Sequence, residues 1–110
     1  MTILEKMRLD HKAIFVTGGA RGIGMNYAIA VAEAGADVAI VDLDLEVAKS
    51  TAEKISRQTG SKCIPIACDV TSEASVDAMM DTFLSEFGKL DAAFCNAGSD
   101  FVIDGAFTCF

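Results

Sequence analysis

The sequence predicts an α/β fold with a doubly wound parallel sheet. Three observations point to it. Short apolar runs alternate with longer segments of helical periodicity, which is the pattern of βαβ units. The runs are apolar throughout, as expected for parallel strands that are covered on both faces. A glycine-rich turn joins the first run to the first helix. With 110 residues, of which 52% are hydrophobic, the chain is long enough for one domain with its own core.

The first strand is predicted at Ala13–Thr17, and the first helix at residues 22–34 with Gly35 as its terminator. Its helical spacing predicts one apolar stripe toward the core, made of Ile23, Tyr27, Ala30 and Ala34. The second strand, Asp37–Asp42, contains the apolar run Val-Ala-Ile-Val. A second helix is expected at Leu45–Thr59, ended by Gly60. Its predicted apolar stripe consists of Val47, Ala48, Ala52 and Ile55.

The third strand is predicted at residues 63–68 and contains Pro65, which lacks an N–H and therefore favours a sheet edge. The strand order 3-2-1-4 of a doubly wound sheet places the third strand at that edge. Ser72 is the expected cap of a third helix, residues 73–87. The apolar face of this helix comprises Val76, Met79, Met80, Phe83, Leu84 and Phe87. A fourth strand is predicted at residues 92–96, and a short fifth one at residues 101–103.

The turn after the first strand is glycine-rich, with Gly18, Gly22 and Gly24 in a G-x-x-x-G-x-G spacing. Glycine is required where a backbone turns tightly or contacts a phosphate, because a Cβ would collide. The free N–H groups and the dipole of the following helix attract an anion. Amides near Arg21, Gly22 and Ile23 would therefore meet a pyrophosphate, while Gly24 lets the helix pack close to the strands.

This spacing resembles the short-chain dehydrogenase/reductase family, and three further marks agree in order and position. Asp42 closes the second strand, Asp69-Val70 closes the third, and Asn96-Ala97-Gly98 closes the fourth. The resemblance implies that Asp42 accepts hydrogen bonds from the adenosine ribose, with Leu43 beside it in the cofactor site. It also implies that Asp69 contacts adenine, that Val70 lines the ring pocket, and that Asn96, Ala97 and Gly98 steady the sheet and pass beside the ribose.

Each of these polar residues also has a purely structural interpretation. Asp42 would otherwise be a helix N-cap or turn residue, Asp69 a strand-end turn residue, and Asn96 a backbone-bonding residue. A carboxylate at Asp42 favours NAD and repels a 2′-phosphate, whereas Arg21 could pair with that phosphate. NAD is therefore the predicted cofactor, with NADP as the alternative.

The family's catalytic residues find no match in the chain. Members use a tyrosine acid/base, a lysine four residues later that lowers its pKa, and a serine. Here the one tyrosine is Tyr27, followed at the fourth position by Val31, so Tyr27 is expected to serve packing. The stretch from residue 98 to residue 107 looks like the family's carboxyl-terminal ending. The sequence thus suggests a partial NAD(P)-binding Rossmann domain, residues 1–98, joined to a terminal strand and tail, residues 99–110.

Two functions remain open on this basis. One is oxidoreduction by descent, in which the parent protein interconverts alcohols and carbonyl compounds, with polyols and sugars as candidate substrates. The other is a non-catalytic nucleotide-binding or interaction fragment, or an inert product. The resemblance implies that the middle of the family's domain, with its catalytic residues, is missing between these two parts. An alternative splice, a gene-model error and an engineered deletion would each explain this.

Charge and composition narrow the partners and the compartment. A net charge of −7 argues against nucleic acid and anionic membranes. No apolar run approaches the ~18 residues of a membrane span, and residues 1–12 lack an apolar core, so a cytoplasmic protein is expected. The four cysteines are expected to be reduced rather than to ligate zinc, and His11 to be exposed. Self-association is expected through uncovered apolar residues, namely Met79, Met80, Phe83, Phe94, Phe101, Phe107 and Phe110.

Overall fold

A computed structural model of the chain describes residues 8–18 and 22–95. Strands and helices alternate through this part. They are β1 (Ala13–Thr17), α1 (Gly22–Glu33), β2 (Asp37–Asp42), α2 (Leu45–Thr59), β3 (Cys63–Ala67), α3 (Glu73–Phe87) and β4 (Ala92–Cys95). The predicted elements are confirmed, with α1 and β3 each one residue shorter than expected. The predicted end of the fourth strand at Asn96, the fifth strand and the tail lie outside the described residues.

The four described strands form one parallel sheet in the order β3-β2-β1-β4, as predicted. β3 is an edge strand of this sheet, and its Pro65 stands opposite Ile40 of β2. An edge is where a residue without an N–H is tolerated, because one side of the strand needs no ladder bond. Because all strands run in the same direction, their carboxyl ends meet at one edge of the sheet.

Helices cover both faces of the sheet, and the two faces pack differently. On one face, α1 and α2 present mostly small residues to bulky strand residues such as Ile14 and Ile40. The small helix residues are Ala28, Ala32, Ala48 and Ala52. On the other face, α3 presents large residues to strand residues of mixed size, from Ala13 and Ala39 to Phe15. The large helix residues are Val76, Met79 and Phe83. The alternation of strand residues between two covered faces is that of a doubly wound sheet.

The buried face of α1 differs from the predicted stripe. The helix buries Gly24, Ala28, Val31 and Ala32. Of the expected stripe, Ile23 is 72% exposed, Ala30 is exposed, and Tyr27 is half-buried. The prediction was wrong because almost every residue of α1 is apolar, so the periodicity marks no single face. The sheet selects the small residues, which allow the helix axis to approach the strands.

The ends of α2 and α3 follow the expected capping chemistry. Asp44 caps α2 by accepting hydrogen bonds from the N–H groups of Glu46 and Val47, at 3.1 and 3.3 Å. Ser72 caps α3, and its Oγ accepts from the N–H of Ser75 at 3.3 Å. Gly60 ends α2 in the left-handed conformation at φ +77°. No helix in the described part of the chain is long and apolar enough to cross a membrane.

Two residues expected on an uncovered surface are core residues instead. Met79 is 1% exposed, and Phe83 is fully buried with its ring 5.7 Å from that of Phe15. The prediction was wrong for these two because the inner face of α3 packs directly on the sheet. Met80 and Phe94 are half-buried. The remaining candidates of this set, Phe101, Phe107 and Phe110, lie outside the described residues.

Candidate functional site

A cleft of about 260 Å³ opens at the carboxyl ends of the strands. Residues that follow β1, β2 and β3 contribute to it, so the parallel arrangement of the sheet creates it. This is the edge at which open α/β sheets bind ligands. The lining consists of Gly18, Val41, Asp42, Leu43, Cys68, Asp69, Val70 and Thr71.

Of the glycine turn, Gly18 belongs to the lining of this cleft and Gly22 begins α1. Gly18 has a φ of +64°, and its N–H donates to the carbonyl of Val41 at 2.8 Å, which ties the turn to β2. Gly22 begins α1 and also has a φ of +64°. A Cβ at Gly22 would meet no heavy atom of the described structure within 4 Å, so backbone conformation rather than space requires glycine there. Gly24 is buried, as expected of the close-packing glycine.

The predicted apolar residues of the site fall in three different environments. Leu43 lines the cleft with 75% of its surface exposed. Ile23 is on the first turn of α1 and is outside the lining. Val70 lines the cleft and is half-buried against the core beneath α3. The predicted site residues Arg21, Asn96, Ala97 and Gly98 lie outside the described residues.

Asp42 stands at the end of β2, and one of its two carboxylate oxygens accepts a hydrogen bond from the described residues. Its Oδ1 accepts a hydrogen bond from the N–H of Asp44 at 3.1 Å. The helix cap is Asp44, so the N-cap interpretation of Asp42 was wrong. The turn interpretation holds for one oxygen, since the bond two residues along the chain closes an Asx-type turn. Within the described residues, the other oxygen has no hydrogen-bond partner.

Asp69 is held in a tight local turn after β3. Its Oδ1 accepts from the Thr71 N–H at 3.0 Å and from the Thr71 hydroxyl at 2.6 Å. These two hydrogen bonds hold the pKa of the Asp69 carboxyl below its usual value. The side chain is therefore an anion at neutral pH with a fixed orientation at the cleft.

Three residues of the cleft, Val41, Cys68 and Thr71, were not among the predicted site residues. Thr71 lines it and fixes Asp69, and the signal available was a threonine two residues after an aspartate, which forms such turns. Cys68 also lines it and is buried, and burial raises the pKa of its thiol. Its neighbour Ser75 on α3 donates a hydrogen bond to the Cys68 Sγ at 3.7 Å.

Tyr27 and His11 lie outside the lining of the cleft. Tyr27 stacks on Phe94 with ring centroids 4.2 Å apart and planes 14° apart, which confirms its packing role. His11 is exposed, as predicted. Cys63 and Cys68 are free thiols, but Cys95 is disulfide-bonded, so the expectation of four reduced cysteines was wrong. The sequence showed no closely spaced cysteine pair that would have indicated a bridge.

Comparison with known proteins gives one consistent answer. The family model described as short chain dehydrogenase matches residues 12–108. The chain is 41% identical over 93 residues to "Short chain dehydrogenase/reductase astE" of Aspergillus oryzae, covering 84% of this chain and 36% of that protein. It is 44% identical over 91 residues to "Sorbitol dehydrogenase" of Cereibacter sphaeroides, covering 83% and 34%. The chain thus spans about a third of the length of these curated relatives.

Solved structures agree with the sequence relatives. A short-chain type dehydrogenase/reductase from Mycobacterium marinum superimposes with a TM-score of 0.84 at 39% identity, over 90% of this chain and 40% of that one. NAD+-bound xylitol dehydrogenase gives 0.77 at 34% identity, covering 82% and 34%. The Pseudomonas aeruginosa RhlG/NADP active-site complex gives 0.78 at 34% identity, covering 84% and 37%. Similar structures therefore include both an NAD+ and an NADP complex.

Proposed function

The chain belongs to the short-chain dehydrogenase/reductase family, and from that premise we propose that its cleft binds the adenosine and pyrophosphate half of NAD. One observation carries the proposal: Gly18, Asp42 and Asp69 stand at or just after the ends of three different strands, yet they line a single cleft. These three residues suit a ligand that carries an anionic group together with hydroxyl and amino groups.

The chemistry of each residue fits part of a dinucleotide. The amides at the start of α1 and the turn at Gly18 suit the pyrophosphate, because unpaired N–H groups at a helix N-terminus favour anions. The remaining oxygen of Asp42 suits ribose hydroxyls, and the Asp69 carboxylate suits the amino group of adenine. Leu43 and Val70 offer apolar contact to the base. The nicotinamide ring, when present, supplies the hydride acceptor or donor of the family's chemistry.

For the preferred cofactor we propose NAD over NADP. Asp42 is a half-buried carboxylate at the end of β2: one oxygen accepts from the Asp44 N–H, and the other has no hydrogen-bond partner in the described part of the chain. A 2′-phosphate at the same ribose would bring like charges together, which disfavours NADP. The alternative rests on Arg21, whose cation would attract that phosphate. The similar NAD+ and NADP complexes leave both cofactors within the family's range.

For the activity we propose alcohol–carbonyl oxidoreduction in the parent protein and nucleotide binding without turnover in this 110-residue chain. Residues 1–98 would be the partial NAD(P)-binding domain, and residues 99–110 the family's terminal strand and tail. The sequence contains no Tyr-x-x-x-Lys, and its one tyrosine is packed on Phe94. Loss of the acid/base group alone typically costs about 10²–10⁴-fold in rate. The name "Sorbitol dehydrogenase" of one relative supports a polyol or sugar substrate for the parent.

Calorimetry with the full chain tests the binding proposal. We expect NAD+ and ADP-ribose to bind with similar affinity and nicotinamide mononucleotide not to bind. The reason is that the proposed contacts are all to the adenosine and pyrophosphate half of the cofactor. Asp69→Ala should weaken ADP-ribose, whereas Asp81→Ala, an exposed aspartate of α3, should not. A chain that is folded by circular dichroism but does not bind ADP-ribose would overturn the proposal. Tighter binding of NADPH than NADH would overturn the role of Asp42.

Two further parts of the proposal concern partners and location. We propose self-association through the outer flank of α3, where Leu84 is 41% exposed and Met80 and Phe87 are half-buried. Sedimentation velocity over a range of concentrations tests it, and a concentration-independent monomer would refute it. We also propose a cytoplasmic location, supported by the free thiols of Cys63 and Cys68, while the bonded Cys95 argues the other way. Cell fractionation decides between them.

A further inference from the structure

Ser75 lies outside the cleft, on the first turn of α3, but its hydrogen bonds lead into it. Its Oγ accepts from the N–H of Asp69 at 2.9 Å. The same hydroxyl donates to the Cys68 Sγ at 3.7 Å, and the Ser75 N–H donates to the Oγ of the helix cap Ser72 at 3.3 Å. Ser75 therefore joins the N-terminus of α3 to the end of β3.

These bonds leave Asp69 with very little freedom. Its N–H is bonded to Ser75, its carbonyl accepts from the Ser72 N–H at 3.0 Å, and its Oδ1 accepts twice from Thr71. Within the described residues, Oδ2 is the polar atom of Asp69 without a hydrogen bond. A carboxylate held in this way presents one acceptor atom, Oδ2, in a fixed direction. Loss of the bond between the Asp69 N–H and Ser75 would allow the carboxylate to change its orientation.

The hydroxyl of Ser75 is suited to this anchor because its single hydrogen is already directed elsewhere. The hydrogen goes to Sγ of Cys68, so the oxygen lone pairs remain for the Asp69 N–H. Burial raises the pKa of the Cys68 thiol, which keeps the sulfur uncharged at neutral pH. A neutral sulfur does not compete with Ser75 for the Asp69 N–H.

We propose that Ser75 is a positioning residue for recognition of the base: it holds Asp69 so that Oδ2 accepts a hydrogen bond from a 6-amino purine. This inference rests on the proposed nucleotide function of the cleft. It predicts discrimination between adenine and hypoxanthine. Adenine carries an amino donor at position 6, whereas hypoxanthine carries a carbonyl oxygen there, which a carboxylate repels.

The test compares NAD+ with nicotinamide hypoxanthine dinucleotide by calorimetry on the full chain. We expect the unmodified protein to prefer NAD+ by about tenfold, the size of one well-placed hydrogen bond. Ser75→Ala should remove most of that preference by weakening NAD+, with the hypoxanthine analogue within about twofold of its original affinity. Ser75→Thr keeps the hydroxyl and should restore the preference. Ser85→Ala, at the exposed far end of α3, is the matched control and should change neither affinity.

The ratio of the two affinities separates positioning from a general structural effect. Equal weakening of both ligands in Ser75→Ala, or an unchanged ratio, would overturn the inference while leaving the nucleotide function intact. If Ser75→Ala does not fold, Ser75→Cys decides, because a thiol of similar size is a weaker acceptor and should lower the ratio. A cysteine variant with the full ratio would refute the inference. A folded, unmodified chain that binds neither dinucleotide would overturn the proposed function itself, and this inference with it.

Discussion

The two ends of the parallel sheet both carry aspartates, but these aspartates have different kinds of partner. At the carboxyl end, Asp42 and Asp69 bond to groups two residues away, at Asp44 and Thr71. At the amino end, Asp91 precedes β4, and its Oδ2 accepts the N–H of Ala13 at 2.8 Å across 78 residues of sequence. Lys89 adds an ion pair to the same oxygen at 3.0 Å.

On the proposed function, this difference separates the binding edge, at the carboxyl ends of the strands, from a structural edge at their amino ends. The side-chain bonds of Asp42 and Asp69 shape their own turns and connect no two strands, and within residues 8–18 and 22–95 one carboxylate oxygen of each has no hydrogen-bond partner. The bond of Asp91 joins β4 to β1 directly. Hydrogen bonding holds the pKa below its usual value at both Asp69 and Asp91. A lowered pKa therefore does not by itself distinguish the proposed binding edge from the structural edge.

The largest effect should come from cutting the long-range bond. Asp91→Ala leaves the N–H of Ala13, a residue 2% exposed, without its partner. An unsatisfied group of this kind costs about 2 kcal/mol of unfolding free energy, measured by urea denaturation. The affinity for NAD+ should not change in the folded variant. Asp91→Asn, which keeps an acceptor oxygen, should lose less, and an equal loss in both variants would contradict the assigned hydrogen bond.

The next effect belongs to the binding edge. Asp42→Asn removes the charge but keeps an oxygen for the Asp44 N–H, so stability should change little. We expect the ratio of NADPH to NADH affinity to rise by about tenfold, since the repulsion of the 2′-phosphate is lost. Titration of both nucleotides into each protein measures it. The matched control is Asp44→Asn, the helix cap, which should leave the ratio as it is; an equal change there would contradict the assignment to Asp42.

Acid should lower the free energy of unfolding, and part of this loss can be assigned to Asp91 at the structural edge. The pKa of Asp91 is lowered first by the Ala13 N–H and then by Lys89, so the folded state binds its proton less readily than the unfolded state. Its contribution is fully present above the unfolded value of about 4 and is lost as the pH falls through the folded value. The difference in unfolding free energy between the unmodified protein and Asp91→Asn should therefore shrink below pH 4. A difference that stays constant down to pH 2 would refute this cause.

The contrast between the two edges also explains what could be predicted from sequence. Asp42 and Asp69 were recognisable because each follows an apolar run at a position that matches a mark of the family the sequence resembles. The strand order and the position of Pro65 followed from general rules of parallel sheets. Asp91 gave no signal, because its partner Ala13 is adjacent only after the sheet has formed. Ser75 was missed for the same reason, since its bond to Asp69 crosses from a helix to a strand end.

The buried face of a helix was predicted correctly only where polar and apolar residues alternate along its sequence. In α2, polar and apolar residues alternate, and three of the four predicted residues, Ala48, Ala52 and Ile55, are buried. The fourth, Val47, is half-buried, while Thr51 was missed. In α1 nearly every residue is apolar, so the buried face is selected by size and close approach to the sheet, which a periodicity argument does not detect.

The smallest effect should come from a second contact at the structural edge. Lys62, just before β3, donates to the carbonyl of Glu86 at 2.9 Å, lies 3.7 Å from its carboxylate, and is 4.8 Å from the centroid of the Phe87 ring. Both side chains of the ion pair are about half-exposed, so Lys62→Met should cost only about 0.5 kcal/mol of unfolding free energy. Methionine keeps the apolar contact with the ring, and the loss should shrink in 1 M NaCl because salt screens the pair. Nucleotide affinity should stay the same, because this contact lies at the end of the sheet opposite the cleft. A measurable change in affinity would show that the two edges are coupled through α3, which carries both Glu86 and Ser75.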